Sequence, residues 1–193
     1  MSRAASLRTG AASPSSPSTA ARTASTSCAR SRRTPFEPAG DEWLQGALAE
    51  VLSDSLDEGA RHSVAQLGAA QAVAELVGFA PPYFEWPAGW WRVAISDQGQ
   101  RVGFVLPVCF KDRSRWRDGR PQGTIFYMGV LPAHRGCGHA RALLDEATRL
   151  FVAADCWRIF CDTGTSNLPM VKTFRQAGYL ADAARPGTRR RTL

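Results

Sequence analysis

The sequence predicts a mixed α/β fold of the α+β type, with a mostly antiparallel central sheet of about six strands flanked by about four helices. Three observations predict it. Apolar stripes at helical spacing open the ordered region; the middle of the chain changes to runs of Val, Ile, Phe and Trp broken by turn residues; helical periodicity then returns on both sides of one short apolar run.

In DEWLQGALAEVLSDSLDEGA, the residues Trp43, Leu44, Ala47, Leu48, Val51, Leu52 and Leu56 recur at three-to-four spacing, which predicts one amphipathic helix closed by Gly59. SVAQLGAAQAVAELVG repeats the pattern through Val64, Leu67, Val73, Leu76 and Val77, and ends at Gly78 ahead of Pro81 and Pro82. The domain therefore opens with a helical pair. WWRVAISDQGQRVGFVLPVCF places two β-rich runs around Asp97, Gln98 and Gly99, which is hairpin chemistry with antiparallel strands at about 91–96 and 101–110. KDRSRWRDGRPQG is a polar loop, and TIFYMGVLP a further strand stopped by Pro132. From His139 the helical period returns through Ala140, Leu143, Leu144, Ala147, Leu150 and Phe151. CWRIFCD is a short buried strand, and NLPMVKTFRQAGY a last helix with Gly178 at its end.

Residues 1–40 are dominated by Ser, Thr, Ala, Pro and Arg with Glu37 the one acid, too little apolar surface to offset ordering entropy, and a disordered tail is expected there. Residues 41–184 are the size of one domain with a proper core, and 185–193 form a basic C-terminal tail. The formal charge of +7 divides unevenly: six arginines lie in 1–40 and four in 185–193, leaving 14 basic and 16 acidic residues between. The domain is not basic, so no nucleic-acid partner is expected. Five basic residues around Trp116 in the polar loop suit either a base-stacking clamp or a wet loop beside a substrate mouth; Asp112 and Asp118 interrupt the charge and favour the second. No run of eighteen apolar residues occurs, so no membrane partner is expected. Cytoplasmic location follows, with an organelle as the alternative because the Arg- and Ser-rich start also has the composition of a transit peptide. Cys28, Cys109, Cys137, Cys156 and Cys161 make no CxxC pair and are not spaced with the three histidines as zinc ligands would be. Reduced thiols and no metal are expected. Cys137, between two glycines, is either small loop filler or a nucleophile, and no orienting acid stands in an evident relation to His134 or His139.

GVLPAHRGCGHARALLDEATRLF joins a strand end, a turn and an amphipathic helix. A helix start exposes unpaired N–H groups at the positive end of the helix dipole, a fit for a diphosphate. Gly136 and Gly138 let the backbone approach closely, and Arg135 adds a charge. The Walker loop fails for want of its lysine, and the dinucleotide fingerprint fails where Arg141 replaces a small residue. A third pattern fits: Arg or Gln, two residues, Gly, one residue, then Gly or Ala, here Arg135, Gly138 and Ala140 of RGCGHA.

On these residues, together with DTGTSNLPMVKTFRQAGY, the chain resembles the GNAT family of acyl-CoA-dependent N-acetyltransferases over about residues 41–179. The resemblance implies an acetyl-CoA-dependent N-acyltransferase that moves an acetyl group directly to a primary amine of a small molecule or protein. Acetyl-CoA as co-substrate and an amine acceptor are the partners it implies, with no metal; monomer or homodimer stays open. It would put Arg135, Gly136, Cys137, Gly138, His139 and Ala140 around the pyrophosphate. Met128, Gly129 and Val130 would pair with the pantetheine arm and aim an amide at the thioester carbonyl. Asn167, with the segment to Phe174, would contact the far end of the arm. The family often carries a tyrosine seven residues after that asparagine as the acid for the leaving thiolate, and Phe174 has no proton to give. Water or another group then does the task, or the acid is dispensable, or the chain is a non-catalytic acyl-CoA-binding sensor of the same fold. Asp162, at the end of the fifth strand of that fold, is a candidate base and equally a turn or helix cap. Tyr127, two residues before Gly129 on the same strand face, either contacts substrate or thiolate or simply packs.

Overall fold

Alternating Val, Phe and Leu put Arg101–Phe110 into a ten-residue strand through the middle of the sheet, buried from Val102 to Cys109. The computed structural model describes residues 34–164 and 166–180. In chain order the elements are β1 (Phe36–Pro38), α1 (Asp41–Ser53), α2 (Glu58–Leu67), α3 (Ala69–Tyr83), β2 (Phe84–Glu85), β3 (Arg92–Ile95), β4 (Arg101–Phe110), β5 (Gln122–Val130), α4 (His139–Ala153), β6 (Arg158–Phe160) and α5 (Leu168–Gln176). Single 3-10 turns at Arg113–Arg115 and Pro132–His134 precede and follow β5. The strands run in the order β1-β3-β4-β5-β6, with β2 also on β4; every pair is antiparallel except β5–β6. One face carries Leu44, Leu48, Val51 and Val73 from the opening helices against Phe104 and Leu106. The other carries Leu143, Ala147, Leu150 and Phe151 of α4 against Val102 and Val105. The mixed α/β class of the sequence reading holds.

Several elements differ from expectation. The opening pair is three helices. α1 stops at Ser53; Asp57 caps α2 by accepting from the Ala60 N–H at 3.1 Å, so Gly59 lies inside α2 and Leu56, in the turn, is 47% exposed instead of core. The second apolar stripe breaks at Gly68, whose φ of 77° no β-carbon would favour, and α2 and α3 meet there at a 120° bend. α3 then runs past Gly78 to Tyr83 with Pro81 and Pro82 in its last turn. The lost amide bonds are offset by packing: Ala80 is fully buried, and Phe84 sits among Phe79, Phe110 and Phe126. Lys111 Nζ also donates to the Pro81 carbonyl at 2.6 Å. β1 forms within the segment expected to be a tail, paired with β3, and β2 was not anticipated at all. The rest of the expected N-terminal tail, and the C-terminal one, lie outside the described residues. Cys109, Cys156 and Cys161 are free thiols.

Two bulges shape the sheet: the β3–β4 register skips Val102, and the β4–β5 register skips Phe126. Glycines let the two helical layers press close. A β-carbon on Gly123 would stand 2.5–2.6 Å from ring carbons of the fully buried Phe151, and one on Gly129 would stand 2.6 Å from a Val51 methyl. Gly123→Ala should therefore cost about 1–3 kcal/mol of stability through overpacking. Urea unfolding checks this, and Phe151→Leu in the same chain should recover part of the loss.

Candidate active site

β4 pairs with β5 along nearly its whole length, but β6 pairs with β5 only at Gln122–Arg158, Gly123–Ile159 and Thr124–Phe160. From Ile125 onward no described strand covers that edge. The Leu131 N–H points inward to the Val102 carbonyl at 2.9 Å, so strand alternation turns the main-chain groups of Val130 and Met128 outward, into the gap. Gly129, between them, faces β4 opposite Phe104. The structure thus brings Met128, Gly129 and Val130 to the wall of an open cleft.

The cleft leads to the turn before α4. Gly136 and Gly138 take φ of 79° and 83°, Gly138 in the left-handed region as the residue that starts α4, and no side chain caps the helix. The N–H groups of Gly136, Gly138, His139 and Ala140 donate to no backbone carbonyl among the described residues. Four donors at the start of a 15-residue helix suit an anion. Arg135 is engaged elsewhere: Nη1 donates to Asp54 Oδ2 at 2.6 Å and to the Asp54 carbonyl at 3.0 Å, and Nε to the Val130 carbonyl at 3.2 Å. It ties the turn to the end of α1 and lends the cleft a shared charge. Burial, with His134 beside it, holds the His139 imidazole below its usual range, so it is neutral at pH 7.

Tyr127 comes together with groups that sequence reasoning missed. Its ring stacks on Phe104 at 6.3 Å, and its phenol hydrogen-bonds Ser55, near Asp57 and Arg135. Burial chiefly, and then Asp57, push the phenol above 10, so it stays protonated through the neutral range. Asp57 bridges the cleft: one carboxylate oxygen accepts from Ala60 in α2, the other from the Gly164 N–H at 3.3 Å in the loop after β6. Ser55 and Asp57 lie some seventy residues before Tyr127, and the signal for them was the Asp57–Glu58 pair, a helix start hidden by reading the apolar stripe through to Gly59.

Asp162 is exposed just past β6. Asn167 caps α5 by accepting from the Met170 N–H at 3.4 Å. Phe174, half-buried, packs on Tyr179 with ring centres 5.4 Å apart. The Tyr179 hydroxyl is bound to Thr148 of α4 at 2.9 Å, and burial pushes it up to about 12. In the loop after β4, the Trp116 indole N–H donates to the Phe110 carbonyl at 2.9 Å, and Arg113 lies over the Trp116 ring at 3.7 Å. Arg115 stacks on Phe110 in the same way. The aromatic and two of the cations are spent within the loop.

Residues 37–179 match the family model described as acetyltransferase (GNAT) family. No curated protein matches the chain. Among solved structures, the aminoglycoside antibiotic 6'-N-acetyltransferase AAC(6')-IG from Acinetobacter haemolyticus is similar at 21% identity, with a TM-score of 0.51 over 82% of this chain and 99% of that one. AAC(6')-Iy, in complex with the bisubstrate analogue CoA-S-monomethyl-acetylneamine, is similar at 19% identity and TM-score 0.53, over 83% of this chain and 99% of that one. A ribosomal-protein-alanine N-acetyltransferase from Brucella melitensis biovar Abortus 2308 is similar at 19% identity and TM-score 0.56, over 82% and 99%. These are likenesses of fold.

The phenols give a measurable consequence. A folded-state pKa above the unfolded one means the native protein keeps protons that the unfolded chain has lost, so stability falls as pH rises from about 10 toward 12 and is unaffected below. Absorbance titration at alkaline pH should show a phenol ionising at about 12, and Thr148→Val, which removes the hydrogen bond that lowers it, should move that midpoint higher.

Proposed function

Because the chain belongs to the GNAT family of acetyltransferases, we propose that it moves an acetyl group directly from acetyl-CoA to a primary amine of a small molecule or protein. The observation that carries this reading is the uncovered edge of β5 running into a helix start with unpaired amides. An extended arm containing amides can add to such an edge as a strand would, and the turn beyond it then meets two linked phosphates. In this reading Met128 and Val130 pair with the arm, Gly129 lets α1 pack close on the face of β5, and Gly136, Cys137, Gly138, His139 and Ala140 surround the phosphates. Arg135 holds that turn in place and adds what charge Asp54 leaves it. Asn167 and Phe174 border the far end of the arm. A bisubstrate analogue joining CoA to an acetylneamine in one relative, and a ribosomal-protein alanine acceptor in another, support an amine acceptor of either kind.

A primary amine has a pKa of about 10, so it arrives protonated and must lose a proton before its nitrogen can attack the thioester carbon. Asp162, at the end of β6, is the candidate base, and Asp57 the carboxylate that orients the incoming ammonium. A main-chain N–H of β5 polarises the carbonyl as the C–N bond forms and the C–S bond breaks. Tyr127, protonated at neutral pH, is the candidate donor to the departing thiolate, a role Phe174 cannot fill. Phe174 also favours a second reading, a non-catalytic acyl-CoA-binding module of the same fold.

Calorimetry should show acetyl-CoA binding to the free protein, weakened at least about tenfold, some 1.4 kcal/mol, by Arg135→Glu, which sets a negative charge against the phosphates and frees Asp54. No binding by well-folded wild type overturns the proposal. Thiol release over a panel of aminoglycosides, polyamines, amino acids and peptide N-termini separates enzyme from module, since only the enzyme exceeds the uncatalysed rate. With an accepted amine in hand, Tyr127→Phe should lower kcat by about a hundredfold while acetyl-CoA affinity holds. Asp57→Asn, which still caps α2, should instead raise the acceptor KM.

A further inference from the structure

Two thiols take no part in the cleft. Cys109 lies near the end of β4, buried on the α4 side with Trp90 and Phe151 in the same cluster. Cys156 is half-buried between α4 and β6, its N–H held by the Phe151 carbonyl at 3.0 Å. Both are free, and their sulfurs stand 3.8 Å apart with 47 residues between them. Bonding them needs an approach of roughly 2 Å, within reach of small side-chain rotations. A surface cavity of about 290 Å³, walled by Trp86, Trp90, Pro121 and Ala154, opens directly on Cys109.

We infer that Cys109 and Cys156 are a dithiol modification site that hydrogen peroxide closes to a disulfide. Either sulfur can donate in the Sγ–Sγ contact; with Cys109 as the donor the contact favours the thiolate at Cys156, Arg120 adding to it against burial and Asp155, while burial also holds Cys109 as a thiol. The Cys156 thiolate attacks one peroxide oxygen; the O–O bond breaks, leaving a sulfenic acid and, once protonated, one water. The Cys109 sulfur then attacks the Cys156 sulfur, the S–O bond breaks and a second water leaves. Two thiols and one peroxide give one disulfide and two waters: the sulfurs lose two electrons and the peroxide gains them. Cys161 serves as a contrast within the same chain, since burial pushes its thiol up to about 12. The site adjoins the paired end of β5, where Cys109 faces Gly123, roughly 23 Å along the strand from Val130, so it stands apart from the acetyl-transfer reading.

The test is hydrogen peroxide on the reduced, desalted full chain, followed by peptide mapping without reductant. Expected is a peptide pair joined through Cys109 and Cys156, about 2 Da lighter than the separate thiols, with Tm higher by about 5 °C or more and both changes reversed by dithiothreitol. In Cys109→Ser, dimedone should trap Cys156 as a sulfenic acid. Oxygen added at Cys156 in the wild type without a link, or a link that joins Cys156 to any other cysteine, overturns the proposal. Should the serine variant fail to fold, the wild-type map decides alone.

Discussion

Three rungs of parallel pairing, ending at Thr124 with Phe160, attach β6 to the sheet, and beyond them the main chain of β5 keeps one strand-paired side and one that no described strand covers. Bare strand edges are usually covered or blunted, because unpaired amides and carbonyls away from water are costly. Here the gap persists because both neighbours are fixed independently. β4 grips the inner side of β5, and Asp57 ties the α1–α2 turn to the loop after β6. The bulge at Phe126 adds local twist in the stretch where the strands part.

The electrostatics of the cleft rest on dipoles more than on ions. His139 is neutral, and the guanidinium of Arg135 is shared with Asp54, so the amides before α4 are the unspent positive ends. The Arg135–Asp54 pair is partly open to water, with side-chain exposures of 35% and 66%, and such pairs contribute only about 0–1 kcal/mol. Exchanging that carboxylate for another anion is therefore a small step energetically.

Much of this was legible in the chain. The β3–β4 hairpin and α4 declare themselves because each buries one regular face between strong turn signals. RGCGHA marks the turn because glycines at positive φ and an uncapped helix start are both written locally. The break at Gly68 was lost because the apolar stripe continues across it. β1 and β2 were lost because two or three residues carry no period. The tyrosine cluster and the Asp54 partner of Arg135 could not be read, since both depend on α1 ending beside β5, a long-range packing fact with no short-range trace.

The glycines of β5 divide the labour between the two walls. One wall is wedged from both faces, by Val51 over Gly129 and by Phe151 under Gly123, with no slack for a larger neighbour or a sideways shift. The opposite wall is a three-residue ribbon followed by a loop and a nine-residue helix. Held by three rungs against the full-length pairing on the other side, that lighter wall is the one along which the two halves of the sheet can separate at least cost.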